Sequence, residues 1–239
     1  MNPTPDTIEN RVRNTECFSG ENLFRLQQMM YDLPLESGSH LFWEGELADK
    51  LYYVKSGRIQ LTKSSEAGRQ FILYMHQEGD MFGQIDPFHQ SRHSFDAEVI
   101  EDSVIGVLLQ SDLEGLLWQN GGLAVEFMRW MGLVHRMTQT KFRDLMMFGK
   151  HGALCSLLIR LANTYGVKQE EQVWISKLHT NTELADMIGA TRESVNRMLS
   201  EFRKANAIRI EQGHILIQDL SYLQDICHCE GCPKDVCRM

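Results

Sequence analysis

The sequence predicts an α+β fold: an N-terminal β-roll of cupin type, a long helix, and a C-terminal winged helix-turn-helix. Three observations predict it. Short apolar runs punctuated by glycine fill residues 33–109, the apolar period turns helical near Gln110, and short helices followed by a hairpin lie beyond residue 180.

The elements follow in order. The chain has 239 residues, enough for one large domain or two ordinary ones. Met1 to Cys17 carries Asp6, Glu9 and Glu16 and no apolar core, so neither a signal peptide nor an anchor is expected there. No uncharged apolar run of about 18 residues occurs, so no transmembrane helix, no membrane partner and a cytoplasmic location are expected. Leu51–Val54 and Ile59–Thr62 read as strands around a turn at Lys55–Arg58. Phe71–Tyr74, Asp80–Gly83 and Val104–Val107 continue the series. Glycines at 38, 45, 57, 68, 79, 83 and 106 space these runs as the turns of a β-roll or jelly roll would be spaced.

Leu113, Leu116 and Leu117 begin the helical period, and a long helix is expected over Leu123–Met147. Its apolar residues cover more than one face. Such a helix is either buried against its own barrel or packed on both the barrel and a twin in a homodimer. Gly149-Lys-His-Gly152 is expected to break it as a hinge. Ala153–Tyr165 is a second apolar helix, in which Cys155 reads as a small core residue. Val173–Ser176 is a strand, and Asn181–Ile188 and Thr191–Lys204 are helices. Ile208–Ile210 and His214–Ile217 flank Gln212-Gly213 as the two strands of a wing. The expected domains are an arm over 1–22, the β-roll over 23–118, the dimerisation helix over 119–148, the winged helix over 149–226 and a cysteine-rich tail over 227–239.

The net charge of −8 does not favour nucleic acid. Charge is uneven, however: residues 190–210 hold five basic residues against two acidic ones. Screening over roughly 8 Å at physiological salt lets such a face act locally. No dinucleotide loop, P-loop or nucleophile constellation suggests an enzyme.

Thr182-Glu-Leu-Ala-Asp-Met-Ile-Gly-Ala-Thr-Arg-Glu-Ser-Val-Asn-Arg-Met-Leu199 closely resembles the helix-turn-helix of the cyclic-AMP-receptor/Fnr superfamily. Ala185 is small where two helices cross, and Gly189 suits the turn between them. Gly57-Arg-Ile59 and Gly79-Asp-Met-Phe-Gly83 resemble the β-roll of the same superfamily, so the likeness covers about residues 20–220. The resemblance implies a homodimer on double-stranded DNA with a TGTGA-like palindrome, and RNA polymerase as a further partner. Arg192, Glu193 and Arg197 are then the base readers, with Ser194 and Asn196 as further DNA contacts. Glu193 and Arg197 stand four apart on one helical face. Arginine donates a bidentate pair to guanine and glutamate accepts from cytosine, each worth about 1–3 kcal/mol of discrimination. The plainer alternative, a surface i, i+4 ion pair, is worth only about 0.3–0.5 kcal/mol.

Cyclic-AMP-binding members hold ribose and phosphate with a Gly-Glu-Leu and a later Arg-Ser. Here Gly83 is followed by Gln84, Arg92 by His93, and Asp96 adds negative charge, which argues against a cyclic nucleotide. His76, His89 and His93 are lone candidates for a haem ligand.

Four of six cysteines lie in the last thirteen residues, a metal signature in a reducing compartment. Cys229-x2-Cys232-x4-Cys237 puts three thiolates on one short loop, as a cuboidal cluster needs. The tail resembles that of a Gram-positive branch of Fnr regulators carrying a C-terminal [4Fe-4S] cluster. That resemblance implies oxygen sensing, control of anaerobic genes, and Asp144 as fourth ligand from the dimerisation helix. Cys227 competes with Asp144 for that role, four cysteines also suit tetrahedral zinc, and Asp144 has a plainer reading as a surface ion pair with Lys141 or Arg143. A cluster tying tail to helix would set the spacing of the recognition helices, and oxygen would release the tail.

Overall fold

The computed structural model describes residues 12–66, 68–85, 91–169 and 172–239. The first half of the N-terminal arm, together with Asp86, Pro87 and His89, lies outside the described residues. Two compact units divide the chain, Arg13–Val134 and His135–Met239.

In the first unit, α1 (Gly20–Gln28) leads into β1 (Tyr31–Leu35), β2 (His40–Phe42), β3 (Lys50–Ser64), β4 (Gln70–Gln77), β5 (Met81–Phe82) and β6 (Asp96–Leu109). Helix α2 (Gln110–Gln119) and the start of α3 (Gly121–Tyr165) follow. The sheet runs β1-β6-β3-β4, with β2 on β6 and β5 on β3, and every pairing is antiparallel. One core cluster lies inside the roll around Val54, Ile59 and Val99. Another joins Leu51, Met81, Leu113, Phe127 and Trp130, so α2 and the start of α3 seal one side of the roll.

The expected turn at Lys55–Arg58 is instead an irregularity inside a single long strand. Register against β6 slips between Val54 and Ile59, while β3 continues through. Gly57 sits there at φ +87°, and a Cβ on it would fall 2.1 Å from Ser103 Oγ. A bulge glycine and a turn glycine meet the same steric demand, so the sequence signal is the same for both.

The second unit holds the rest of α3, β7 (Gly166–Gln169), β8 (Gln172–Ile175), α4 (Asn181–Met187), α5 (Arg192–Lys204), β9 (Ile208–Glu211), β10 (His214–Ile217) and α6 (Leu220–Ile226). Its sheet is β7-β8-β10-β9, and the β9–β10 hairpin pairs Ile215 with Ile210. The expected hinge narrows to one residue. Gly149 alone leaves the helical region (φ 60°, ψ −164°), and residues 150–152 resume the helix. That backbone conformation is open essentially to glycine alone.

Helix α3 contains one eighteen-residue window apolar enough to cross a bilayer by composition, and more than half of it is buried within the protein. Leu154, Leu158 and Leu161 are among its fully buried residues, so core packing accounts for the composition.

Candidate nucleic-acid interface and metal centre

Helix α5 begins where Thr191 caps it, accepting from Ser194 N at 3.2 Å. Val195, Met198, Leu199 and Phe202 stand at i, i+3, i+4 and i+7 and are buried, which turns the opposite face outward. Arg192, Glu193, Asn196 and Arg197 are all exposed on α5, and Ser194 is half-buried. The turn before α5 is as the sequence requires. Ala185 is buried at the crossing, Gly189 takes φ +61°, and Ala190 N donates to Ala185 O at 2.9 Å. Helix α4 starts with a capping box between Thr180 and Glu183.

Two candidate residues already have partners. Thr191 Oγ1 donates to Ser194 Oγ at 3.0 Å, and Asn181 Nδ2 donates to Asn196 Oδ1. Each keeps a donor for an outside acceptor. At the C-terminal end of α5 and beyond it, Arg203, Lys204, Arg209 and Gln218 line an open cleft of about 470 Å³. These cations suit phosphate contacts, which position a protein without reading sequence.

The tail follows α6, with Cys227 as its C-cap. Gly231 takes φ +65°, and Cys237 N donates to Pro233 O at 2.9 Å, so the chain turns back without helix. Cys227 is buried; Cys229, Cys232 and Cys237 are half-buried. Burial, then Cys229, Asp144 and Cys237 nearby, pushes the Cys227 thiol up to about 12. Burial also raises Cys237, opposed by the Arg160 cation. Thiols in this state are protonated at neutral pH, so a metal binding them would release protons. Cys155 is fully buried, as its core reading requires.

Asp144 is 2 % exposed, which overturns its reading as a surface ion pair. Of the two pairings weighed for it, Arg143 is present, donating through Nε at 3.0 Å and Nη2 at 2.7 Å to Oδ1. Oδ2 accepts from Arg160 Nη2 at 3.0 Å and from Ser156 Oγ. Arg160 was not singled out from the sequence. Its signal was there: it is the only charged residue within the apolar helix Ala153–Tyr165. Arg143 also pairs with Glu230, between Cys229 and Cys232, and Arg160 Nη1 donates to Val236 O at 3.3 Å, beside Cys237. The buried carboxylate is thus linked to both ends of the cysteine loop.

Three tail cysteines with a buried carboxylate nearby suit iron–sulfur ligation in donor chemistry. As placed, no three His, Cys, Asp or Glu side chains converge to hold a metal ion among the described residues.

The β-roll encloses a cavity of about 190 Å³, lined among others by Phe82, Gln84, His93, Trp130 and Val134. No arginine, lysine or carboxylate lines it among the described residues. Gln84 is tied to the loop, donating to Arg92 O at 3.0 Å and accepting from Ser94 N at 3.1 Å. His76 and His93 are buried and stacked on Phe82 and Phe42, with centroids 4.6 and 3.6 Å apart.

Comparison with known proteins gives two family matches: a cyclic nucleotide-binding domain over residues 33–120 and a Crp-like helix-turn-helix domain over residues 152–226. An anaerobic regulatory protein of Bacillus subtilis is 38 % identical over 231 residues, covering 96 % of this chain and 97 % of that one. A CRP-like cAMP-activated global transcriptional regulator of Mycobacterium tuberculosis is 27 % identical over 195 residues, covering 81 % and 87 %. A solved CooA mutant from Carboxydothermus hydrogenoformans shares the fold, with a TM-score of 0.73 at 17 % identity, covering 90 % of this chain and all of that one.

Proposed function

Since the chain belongs to the Crp/Fnr family of DNA-binding transcription regulators, we propose that it controls anaerobic genes by sensing oxygen through a C-terminal [4Fe-4S] cluster. It is a regulator and not an enzyme. The observation that carries the sensing reading is Asp144: a buried carboxylate on the long helix, joined through Arg143 and Arg160 to both ends of the cysteine loop.

Cys229, Cys232, Cys237 and Asp144 are the ligands in this reading. When bound, the cluster supplies an oxygen-sensitive link between the tail and the helix that bears Asp144. Asp144 accepts four hydrogen bonds, so at least one donor among Arg143, Ser156 and Arg160 shares its oxygen or turns away when Asp144 ligates iron. The cluster enables DNA binding when intact, acting only through its preference for the DNA-competent state.

Family regulators bind DNA as dimers. In this chain, exposed Phe142 and Met146 stand four residues apart on α3, an apolar pair suited to packing against a second copy. Arg192, Glu193 and Arg197 read base edges of a TGTGA-like palindrome, assisted by Ser194 and Asn196. RNA polymerase is the further partner, and the cytoplasm the place of action.

A second reading has one observation in its favour. The Cys227 thiol lies within electrostatic reach of Cys229, Cys237 and Asp144, and Cys237 within reach of Cys232, so four thiols share the region and zinc is the rival metal. Oxygen-free purification with iron, sulfide and zinc analysis separates the two. Brown protein that shifts a palindromic duplex, then bleaches and releases it in air, supports the cluster. Colourless zinc protein indifferent to air refutes it.

A further inference from the structure

The end of the chain docks on one helical face through bonds that use no cysteine side chain. Arg160 Nη1 donates to Val236 O at 3.3 Å, and Asn163 Nδ2 donates to Cys237 O at 2.8 Å. Met239 N donates to Thr164 Oγ1 at 3.0 Å. Residues 160, 163 and 164 stand at i, i+3 and i+4, neighbours on the surface of α3. Val236, Arg238 and Met239 are buried. Chain termini usually fray unless tied down, and here each of three successive attachment points has a side-chain partner on the helix.

A tail ordered only by its metal looks different. In small metal modules that fold on binding, ligands and backbone are unstructured until the ion arrives. In this chain the residues flanking Cys237 are fixed by the helix, and the thiols are the groups left for something else to use.

We propose that Arg160, Asn163 and Thr164 are positioning residues that seat residues 236–239 on α3 without metal, so that Cys237 is already anchored and only the remaining thiols have to converge when iron arrives. The iron part rests on the function proposed above; the docking does not. It also replaces the expectation that oxygen frees the tail. With the dock intact, cluster loss changes the ligation of Asp144 and the thiols while residues 236–239 stay seated. Ordering residues 236–239 then adds no cost at the moment of metal binding.

The test uses full-length protein, reduced and stripped of metal by chelation, with hydrogen–deuterium exchange read on the C-terminal peptide. Thr164→Val keeps the shape and removes the acceptor, whereas Thr164→Ser keeps the acceptor. Asn163→Ala removes a second bond without touching buried Arg160. Metal-free wild-type protein and Thr164→Ser should protect residues 236–239. Thr164→Val and Asn163→Ala should each lose roughly tenfold of that protection, about the equilibrium worth of one hydrogen bond. Anaerobic reconstitution with iron and sulfide should be slower in the same two variants. Unprotected tail amides in metal-free wild-type protein would overturn the proposal, as would protection unchanged in both variants. A protected tail in wild-type protein that never takes up iron would leave the dock standing and refute the cluster.

Discussion

Arg160 and Asp144 form a buried ion pair, 3.0 Å from Nη2 to Oδ2, with side-chain exposures of 5 % and 3 %. Arg160 also donates to Thr140 Oγ1 at 3.1 Å, so one guanidinium holds two points of the long helix and the tail carbonyl. Removing one partner of such a pair leaves an uncompensated buried charge, at about 3–5 kcal/mol. Asp144→Ala should therefore lose about that much in urea unfolding of metal-free protein. Asp144→Leu combined with Arg160→Met should recover much of it, because two apolar side chains leave no stranded charge. Additive losses in the double variant would show that the two residues are not coupled.

Gly149 bends α3 by backbone conformation and not by lack of room. Nothing lies within 4 Å of a Cβ built there, yet its φ is +60°. Gly149→Ala should destabilise by about 1–3 kcal/mol through strain. Gly152→Ala should destabilise for another reason, since its Cβ would fall 2.2 Å from Phe148 Cβ. A rise in melting temperature for Gly149→Ala, as expected for a straight helix gaining alanine, would show that the bend is not enforced.

His93 makes the first unit sensitive to mild acid. Burial lowers its pKa below 6.5, outweighing the opposing pull of Glu46. The unfolded chain thus takes up a proton that the folded chain refuses. Stability should be level above about pH 6.5 and fall from there down to the lowered folded value, where the loss saturates. Replacing His93 with Phe, which can keep the stack on Phe42, should flatten that part of the stability–pH curve. An identical curve in the variant would assign the acid sensitivity to other groups.

The exposed pair on α3 predicts the assembly. Phe142→Glu places a charge beside exposed Met146 and should give monomers in sedimentation experiments with little change in unfolding free energy per chain. A persistent dimer would place the interface elsewhere.

Within α5 the basic residues should divide by task. Arg197→Ala should cost about 1–3 kcal/mol on the best site and relax preference at one base pair. Lys204→Ala, in the basic cleft, should weaken all duplexes alike and reduce the salt slope by about one. Binding titrations on wild-type and base-substituted duplexes at several salt concentrations read both effects. Uniform loss across sequences for Arg197→Ala would remove it from base reading.

The sequence alone was enough for whatever is written in local periodicity. The face of α5, the turn at Gly189, the wing hairpin and a break within residues 149–152 all follow from spacing and from what glycine does to a backbone, whereas the structure starts α5 one residue later than expected, with Thr191 as its cap. The short elements α1, β7 and α6 were not anticipated, because each is shorter than the window of about 11–18 residues over which a period stands out. The bulge at Gly57 read as a turn because the strand opposite it, which keeps β3 going, lies some forty residues away. Only the tertiary structure decided what surrounds Asp144. Arg160, 16 positions on, would stand about 24 Å away in a straight helix and meets Asp144 only because α3 bends at Gly149, while Glu230, 86 positions on, reaches the site through Arg143 once the tail packs on α3; local pattern specifies neither approach.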